Sequence, residues 1–151
     1  MQHARLLIHC LGRETASYCP STVNATGSCP PGEYTEFAGG DGSLAMGVVV
    51  PGGQLVYIDA ECGAVGYTQA HSAALPKGAI VDGWNKTEGP SFGYLTHENG
   101  LIACPATDSE TGKPNGWQVF VQLPGLFFIE TCLGFSALTS NTTQPGAWQY
   151  T

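Results

Sequence analysis

The chain has 151 residues and a formal net charge of −7; 42% of its residues are hydrophobic and only 11% are charged. The hydrophobic content excludes an intrinsically disordered chain, and the scarcity of charged residues excludes a coiled coil or helical bundle. Five basic residues against twelve acidic ones also disfavour nucleic-acid binding and docking on anionic lipid, because both need clustered positive charge. We therefore expect no nucleic-acid partner.

Glycine and proline divide the chain into short segments. The 21 Gly and 10 Pro residues leave little room for helices of the usual length of about 11–12 residues. Segments rich in Val, Ile, Tyr, Phe and Trp between these turn residues favour strands. In chain order, the predicted strands are Arg5–Leu11, Ser43–Val50, Gln54–Ala60, Ala64–Gln69, Ala79–Trp84, Phe92–Thr96, Leu101–Cys104, Trp117–Leu123, Leu126–Thr131, Gly134–Thr139 and Ala147–Tyr150.

The spacing of these strands predicts one all-β domain over residues 1–151, with a long loop at residues 12–42. Evenly spaced strands without intervening helices favour an antiparallel β-sandwich or β-barrel stapled by disulfides, and a β-trefoil is the alternative. Pro51-Gly52-Gly53 predicts a tight turn between two strands. Asn99-Gly100 predicts a hairpin that joins Phe92–Thr96 to Leu101–Cys104.

The six cysteines indicate the compartment in which the protein folds. None belongs to a CxxC pair, so zinc-ribbon and thioredoxin-like sites are excluded. An even number of dispersed cysteines favours three disulfides and an oxidising compartment. Six cysteines allow about 15 pairings, and the sequence alone leaves them open. The cysteines are Cys10, Cys19, Cys29, Cys62, Cys104 and Cys132.

Three N-x-[ST] sequons, at Asn24, Asn85 and Asn141, predict a secreted glycoprotein. Residues 1–11 show no signal-peptide pattern. The apolar stretch at residues 119–138 is interrupted by polar and turn residues, so we expect no membrane span.

Several short strings between about residues 14 and 139 form a recognisable set. They are Ser17-Tyr-Cys-Pro20, Cys29-Pro-Pro-Gly32, Val50-Pro-Gly-Gly-Gln-Leu-Val-Tyr57, Gly66-Tyr-Thr-Gln-Ala-His-Ser72, Gly100-Leu-Ile-Ala-Cys-Pro105, Trp117-Gln-Val-Phe120 and Cys132-Leu-Gly-Phe-Ser-Ala-Leu-Thr139. In this order and at these spacings, they resemble small secreted proteins of filamentous fungi described as IgE-binding proteins and, more distantly, PhiA-type fungal cell-wall proteins.

The resemblance implies a secreted, cell-wall-associated or allergen-like protein, and it implies no known reaction. It also suggests disulfide pairings, because four of the cysteines lie in the matching strings. Cys19 would then pair with Cys29, and Cys104 with Cys132. Cys10 and Cys62 lie where the family is not expected to have cysteine, and they would form the third bond.

Residues suited to acid–base or nucleophilic chemistry are scattered. His71 lies in one of the matching strings. Asp59 and Glu61 share a strand face and could form a glycosidase pair, which requires carboxylates about 5–9.5 Å apart. No GxSxG, HExxH or papain-like signature occurs, and the four histidines show no metal-ligand spacing. We therefore expect no enzyme activity, no metal and no cofactor. The other residues whose side chains are suited to acid–base chemistry are His97, Glu98, Asp108 and Glu130.

Aromatic residues beside polar ones could bind carbohydrate. Trp84 follows a glycine, and Asp82 and Asn85 supply hydrogen-bonding groups next to it, so we predict that Trp84 is exposed and lies in a sugar-binding site. Trp117 shares a strand face with two valines and is predicted to lie in the core. The other tryptophan and tyrosine candidates are Trp148, Tyr34, Tyr57, Tyr67 and Tyr94.

Three functional interpretations follow from the sequence. The first is a non-enzymatic, allergen-like glycoprotein of the fungal cell wall or surface. The alternative is a lectin-like carbohydrate-binding module, and the third is a small secreted hydrolase or inhibitor. The expected partners are wall polysaccharide or other wall proteins, and the expected oligomeric state is a monomer.

Overall fold

The computed structural model describes residues 36–107, 112, 114–139 and 148–149. The regular secondary structure in these ranges is all β-strand, as predicted, and they contain no helix long and apolar enough to span a membrane. The strands in this part of the chain are β1 (Phe37–Met46), β2 (Val56–Ile58), β3 (Val65–Tyr67), β4 (Trp84–Thr87), β5 (Gly93–His97), β6 (Leu101–Thr107), β7 (Pro114–Val121), β8 (Leu133–Gly134) and β9 (Ala137–Thr139).

The strands form three antiparallel sheets. One has four strands in the order β1-β4-β5-β9, one pairs β2 with β3, and one has the order β7-β6-β8. Isolated bridges link the small sheet to the other two, Ala45 with Leu55 on one side and Ala64 with Phe120 on the other. None of the sheets closes on itself among the described strands, and their unequal sizes favour an antiparallel sandwich over a barrel or trefoil.

The three sheets share one hydrophobic core. Val56, Ile58 and Val121 have no exposed surface, and burying each such side chain stabilises the fold by about 1.5–3 kcal/mol. Each sheet contributes to this core, which therefore holds the sheets together. Its buried members are Leu44, Met46, Val56, Ile58, Ala64, Val65, Tyr67, Trp84, Leu101, Val119, Val121 and Leu123.

Strand β1 begins before the strand that the sequence predicted. It includes residues 39–42, which the prediction assigned to the loop, and it pairs with β4, where Asp41 lies opposite Asn85. The three glycines in this range have φ between +96° and +100°, and a Cβ on Gly40 would lie 2.6 Å from that of Lys86. Gly40 therefore permits the close approach of β4, and all three glycines adopt a φ that other residues rarely take. Residues 12–35 of the predicted loop lie outside the described residues.

The two predicted turns have different outcomes. The turn at residues 51–53 is confirmed, since the N–H of Gly53 donates to the carbonyl oxygen of Val50 at 2.9 Å. The hairpin predicted at Asn99-Gly100 is wrong, because β5 pairs with β4 and β9 whereas β6 pairs with β7 and β8. The chain does turn tightly there, with the N–H of Gly100 2.8 Å from the carbonyl oxygen of His97. The turn, however, leads from one sheet into another.

One predicted disulfide is present between described residues. Cys104 of β6 is bonded to Cys132, just before β8, and the two are 28 residues apart. Closing a loop of this length stabilises a fold by roughly 3–4 kcal/mol in the chain-entropy treatment. Cys62 is also disulfide-bonded. Its expected partner Cys10, like the expected pair Cys19 and Cys29, lies outside the described residues.

Candidate functional site

The predicted sugar-binding residues Asp82, Trp84 and Asn85 do not form one site. Trp84 begins β4 and is only 4% exposed, because it faces the core and packs edge-on against His97 with ring centroids 5.2 Å apart. Asn85 is the next residue, so it points to the opposite face of the sheet, where it is exposed. The prediction that Trp84 offers an exposed ring to a sugar is therefore wrong.

The side chain of His97 is buried, and backbone groups occupy both of its ring nitrogens. Nε2 lies 3.0 Å from the carbonyl oxygen of Asp82, and the N–H of Asn99 donates to Nδ1 at 3.2 Å. Because Nδ1 accepts, the ring is the neutral tautomer whose Nε2–H donates to Asp82. A Cβ on Gly83 would lie 2.6 Å from Nε2, so glycine makes this contact possible. His97 therefore has a structural role.

The other candidates for acid–base chemistry are dispersed. Oδ1 of Asp59 accepts the N–H of Glu61 at 2.8 Å, so this carboxylate stabilises the turn between β2 and β3. His71 is exposed in a turn with φ of +61°. No group of three or more His, Cys, Asp or Glu residues within the described ranges could hold a metal ion. Asp108 lies outside the described residues.

A different surface lies at the opposite end of the β4–β5 hairpin, where residues 88–92 connect the two strands. A Cβ on Gly93 would overlap the carbonyl oxygen of Thr87, and one on Gly89 would overlap that of Phe92. The N–H of Tyr94 donates to Oγ1 of Thr87 at 3.2 Å. Glycine thus allows the tight return of the chain that fixes the shape of this end.

Two aromatic rings are exposed at this end of the hairpin. Phe92 is 51% exposed and Tyr94 is 41% exposed. Their ring centroids are 5.9 Å apart and their planes meet at 83°, which is the favourable edge-to-face arrangement. Because each ring restrains the other, the pair presents an ordered apolar surface to solvent.

A cavity of about 300 Å³ opens beside Phe92, a volume at the lower end for small-molecule sites. It is lined by residues 86–93 of the hairpin and by Thr139 of β9. Nζ of Lys86 and Oε1 of Glu88 form an ion pair at 3.3 Å, and the hydroxyl of Thr139 adds a group that can donate and accept. We call Phe92, Tyr94 and this cavity the hairpin site.

The sequence points to one of the two aromatic residues of the hairpin site. Tyr94 is among the predicted aromatic candidates, whereas Phe92 is predicted only as part of a strand. The preceding Pro90-Ser91 turn is the signal that indicates an exposed ring. Trp117, predicted to lie in the core, is 43% exposed. It lies opposite Pro105, where the register of β6 and β7 shifts, so the strand alternation that buries Val119 does not extend to it.

The fold and the hairpin site define a small, disulfide-linked all-β protein with an exposed aromatic surface. The family model of PhiA-like secreted proteins matches residues 3–151, so the chain belongs to this family and is extracellular. An uncharacterized secreted protein of Arthroderma benhamiae is 36% identical over 152 residues, which cover 93% of this chain and 72% of that protein. No solved structure matches the chain. The resemblance to PhiA-type proteins and the expectation of a secreted fungal protein are confirmed.

Proposed function

We propose that this protein is a non-enzymatic component of the fungal cell wall or surface that binds wall polysaccharide through the hairpin site. The observation that carries the proposal is the exposed, mutually restrained pair of Phe92 and Tyr94 beside a polar cavity. An extracellular protein with such a surface meets wall polysaccharide at high local concentration.

The chemistry of a sugar ring fits the two parts of the hairpin site. A pyranose has an apolar face of C–H groups, which gains free energy when it covers an aromatic ring. Its edge carries hydroxyl groups, which pair with the charged groups of Lys86 and Glu88 and the hydroxyl of Thr139. The ion pair at 3.3 Å lies at the surface and is worth about 0–1 kcal/mol, so a ligand hydroxyl can displace it at little cost.

The arrangement of polar side chains supports a non-enzymatic role. His97 donates and accepts hydrogen bonds with backbone groups on both ring nitrogens, so it is not free to act as a general base. The carboxylate of Asp59 accepts a backbone N–H in a turn. The residues that line the hairpin cavity include one carboxylate and no histidine or cysteine, so they supply neither a carboxylate pair nor a nucleophile paired with histidine.

An allergen-like, IgE-binding character is a second part of the proposal, and the resemblance in sequence supports it. Immunoblotting of the purified protein with sera from patients sensitised to fungi tests this part directly. Binding of IgE would establish it, and consistently negative sera would overturn it.

Polysaccharide binding is tested by sedimentation with insoluble chitin, β-1,3-glucan and mannan, using protein produced without glycans. We expect retention on one of the polymers, and we expect the double variant Phe92→Ala/Tyr94→Ala to lose at least about 90% of it, since about 1.4 kcal/mol corresponds to a tenfold change in affinity.

Phe127→Ala is the matched control, because Phe127 is 97% exposed and lies outside the hairpin. It removes an exposed aromatic ring without touching the site, so it should bind as the unmodified sequence does. Failure to bind any polymer, or equal loss in both variants, would contradict the proposal. Circular dichroism must show that each variant is folded.

A further inference from the structure

We propose that Asn85 carries an N-linked glycan and that its first N-acetylglucosamine packs on the ring of Tyr94, so that the protein's own glycan covers part of the hairpin site. The effect on polysaccharide binding rests on the proposed function, whereas the contact between glycan and ring does not.

The register of the four-stranded sheet places the two residues together. Asn85 lies opposite Thr96, and Thr87 lies opposite Tyr94. These four side chains are on the exposed face of the sheet. Asn85 and Tyr94 are therefore diagonal neighbours across β4 and β5, with a separation of about 7–8 Å that long or aromatic side chains bridge. A sugar attached to Nδ2 of Asn85 reaches the ring of Tyr94 over this distance.

The sequon is complete and accessible in the folded chain. Asn85, Lys86 and Thr87 form the N-x-T acceptor sequence, and both Asn85 and Thr87 are exposed. A member of a secreted family passes through the compartment in which such sequons are modified. On the neighbouring strand, Asp41 lies opposite Asn85 and is exposed as well, so no apolar contact is lost when a sugar occupies this face.

The environment of Tyr94 favours such a contact. Phe92 supports its ring edge-to-face from the hairpin end, and Leu138 of β9 lies opposite it on the far side. The open approach to the ring is therefore from β4, which is the strand that carries Asn85. An N-acetylglucosamine there would bury apolar surface of the ring and of its own C–H face.

Occupation of Tyr94 by the attached sugar has a consequence for the proposed function. The same ring cannot cover two pyranose faces at once from the same side, so the attached sugar competes with a polysaccharide within one molecule. Removing the glycan should then strengthen binding to the polymer that the unglycosylated protein retains.

The test uses protein secreted by a fungal host, with Asn24→Gln and Asn141→Gln so that Asn85 is the remaining sequon. Intact mass and peptide mapping measure occupancy of Asn85. Endoglycosidase H leaves one N-acetylglucosamine on Asn85, whereas peptide N-glycosidase F, applied to the intact glycoprotein, removes the whole glycan and converts Asn85 to Asp. We expect the form that retains one sugar to melt about 2–4 °C higher, the shift typical of one aromatic contact in a domain of this size.

Two controls isolate the contact. Asn85→Asp matches the enzymatically released product, which brings a like charge opposite Asp41. The rise in melting temperature due to the sugar should vanish in Tyr94→Ala and persist in Phe127→Ala. An Asn85 that carries no glycan, or a rise in melting temperature that survives in Tyr94→Ala, would overturn the proposal. If this rise is present but no form of the protein binds polymer, the proposed function fails while the glycan contact is established.

Discussion

The two faces of the β4–β5 pair differ in almost every physical respect. The inner face carries Trp84 and His97, which are buried and packed edge-on. The outer face carries Asn85, Thr96 and, further along β5, Tyr94, all of which are exposed. Neighbouring residues along each strand therefore belong to different environments, because side chains alternate with a period of two.

The comparison shows that aromatic content alone does not locate a binding surface in a β protein. Trp84 belongs to the buried core, whereas Tyr94 presents its ring to solvent, although both belong to one hairpin. A shift of one residue along a strand is enough to exchange the buried face of the sheet for the exposed face. Substitutions in adjacent pairs can therefore test the difference directly.

The largest contrast is expected between Trp84→Ala and Asn85→Ala. Removing the buried indole leaves a cavity and should lower the free energy of unfolding by about 3–5 kcal/mol. Removing the exposed amide next to it, in protein without glycans, should change it by less than about 0.5 kcal/mol. Chemical denaturation monitored by circular dichroism measures both. Similar values for the two variants would show that Trp84 does not belong to the core.

A second contrast lies on β5, between His97→Phe and Thr96→Val. Phenylalanine fills the space but leaves the carbonyl oxygen of Asp82 and the N–H of Asn99 without their partner, so we expect a loss of about 2–3 kcal/mol. The exposed Thr96 should tolerate valine with a change below about 0.5 kcal/mol. A His97→Phe variant with an unchanged free energy of unfolding would contradict the structural role of the imidazole. The midpoint of denaturant-induced unfolding measures both changes, provided that the free energy depends on denaturant with the same slope in each variant.

The smallest effect concerns Tyr57, the buried counterpart of the exposed Tyr94. Burial, and to a lesser degree the charge of Asp59, raise the pKa of Tyr57 above its ordinary value of 10.0. The unfolded chain then releases this proton at lower pH than the folded chain does. The contribution of Tyr57 to the free energy of unfolding is therefore fully present below the ordinary tyrosine pKa and declines as the pH rises above it.

The comparison of the unmodified sequence with Tyr57→Phe isolates this effect of pH. The difference in unfolding free energy between the two should be constant up to a pH of about 9 and should shrink above the ordinary tyrosine pKa. Equilibrium denaturation across this range measures it. A difference that does not change with pH would show that Tyr57 ionises in the folded chain as readily as in the unfolded one.

The sequence was sufficient for properties that depend on composition and local turns. Glycine and proline spacing predicted an all-β chain, and the turn at residues 51–53 was correct. The orientation of Trp84 was not accessible, because it depends on pairing with Gly42 and His97, which lie far from each other along the chain. The Asn99-Gly100 turn was recognised, but nothing local shows whether a tight turn joins paired strands or leads into another sheet.

The hydrogen bonds around His97 give the two ends of the hairpin different freedom to fluctuate. At one end, the N–H of Glu98 also donates to the carbonyl oxygen of Gly83 at 2.9 Å, beside the buried imidazole. At the other end, residues 88–92 are all exposed. Backbone amides should therefore exchange with deuterium slowly near His97 and quickly in the loop. Local opening of the hairpin should therefore begin at its loop, while its base, and with it the core, stays closed.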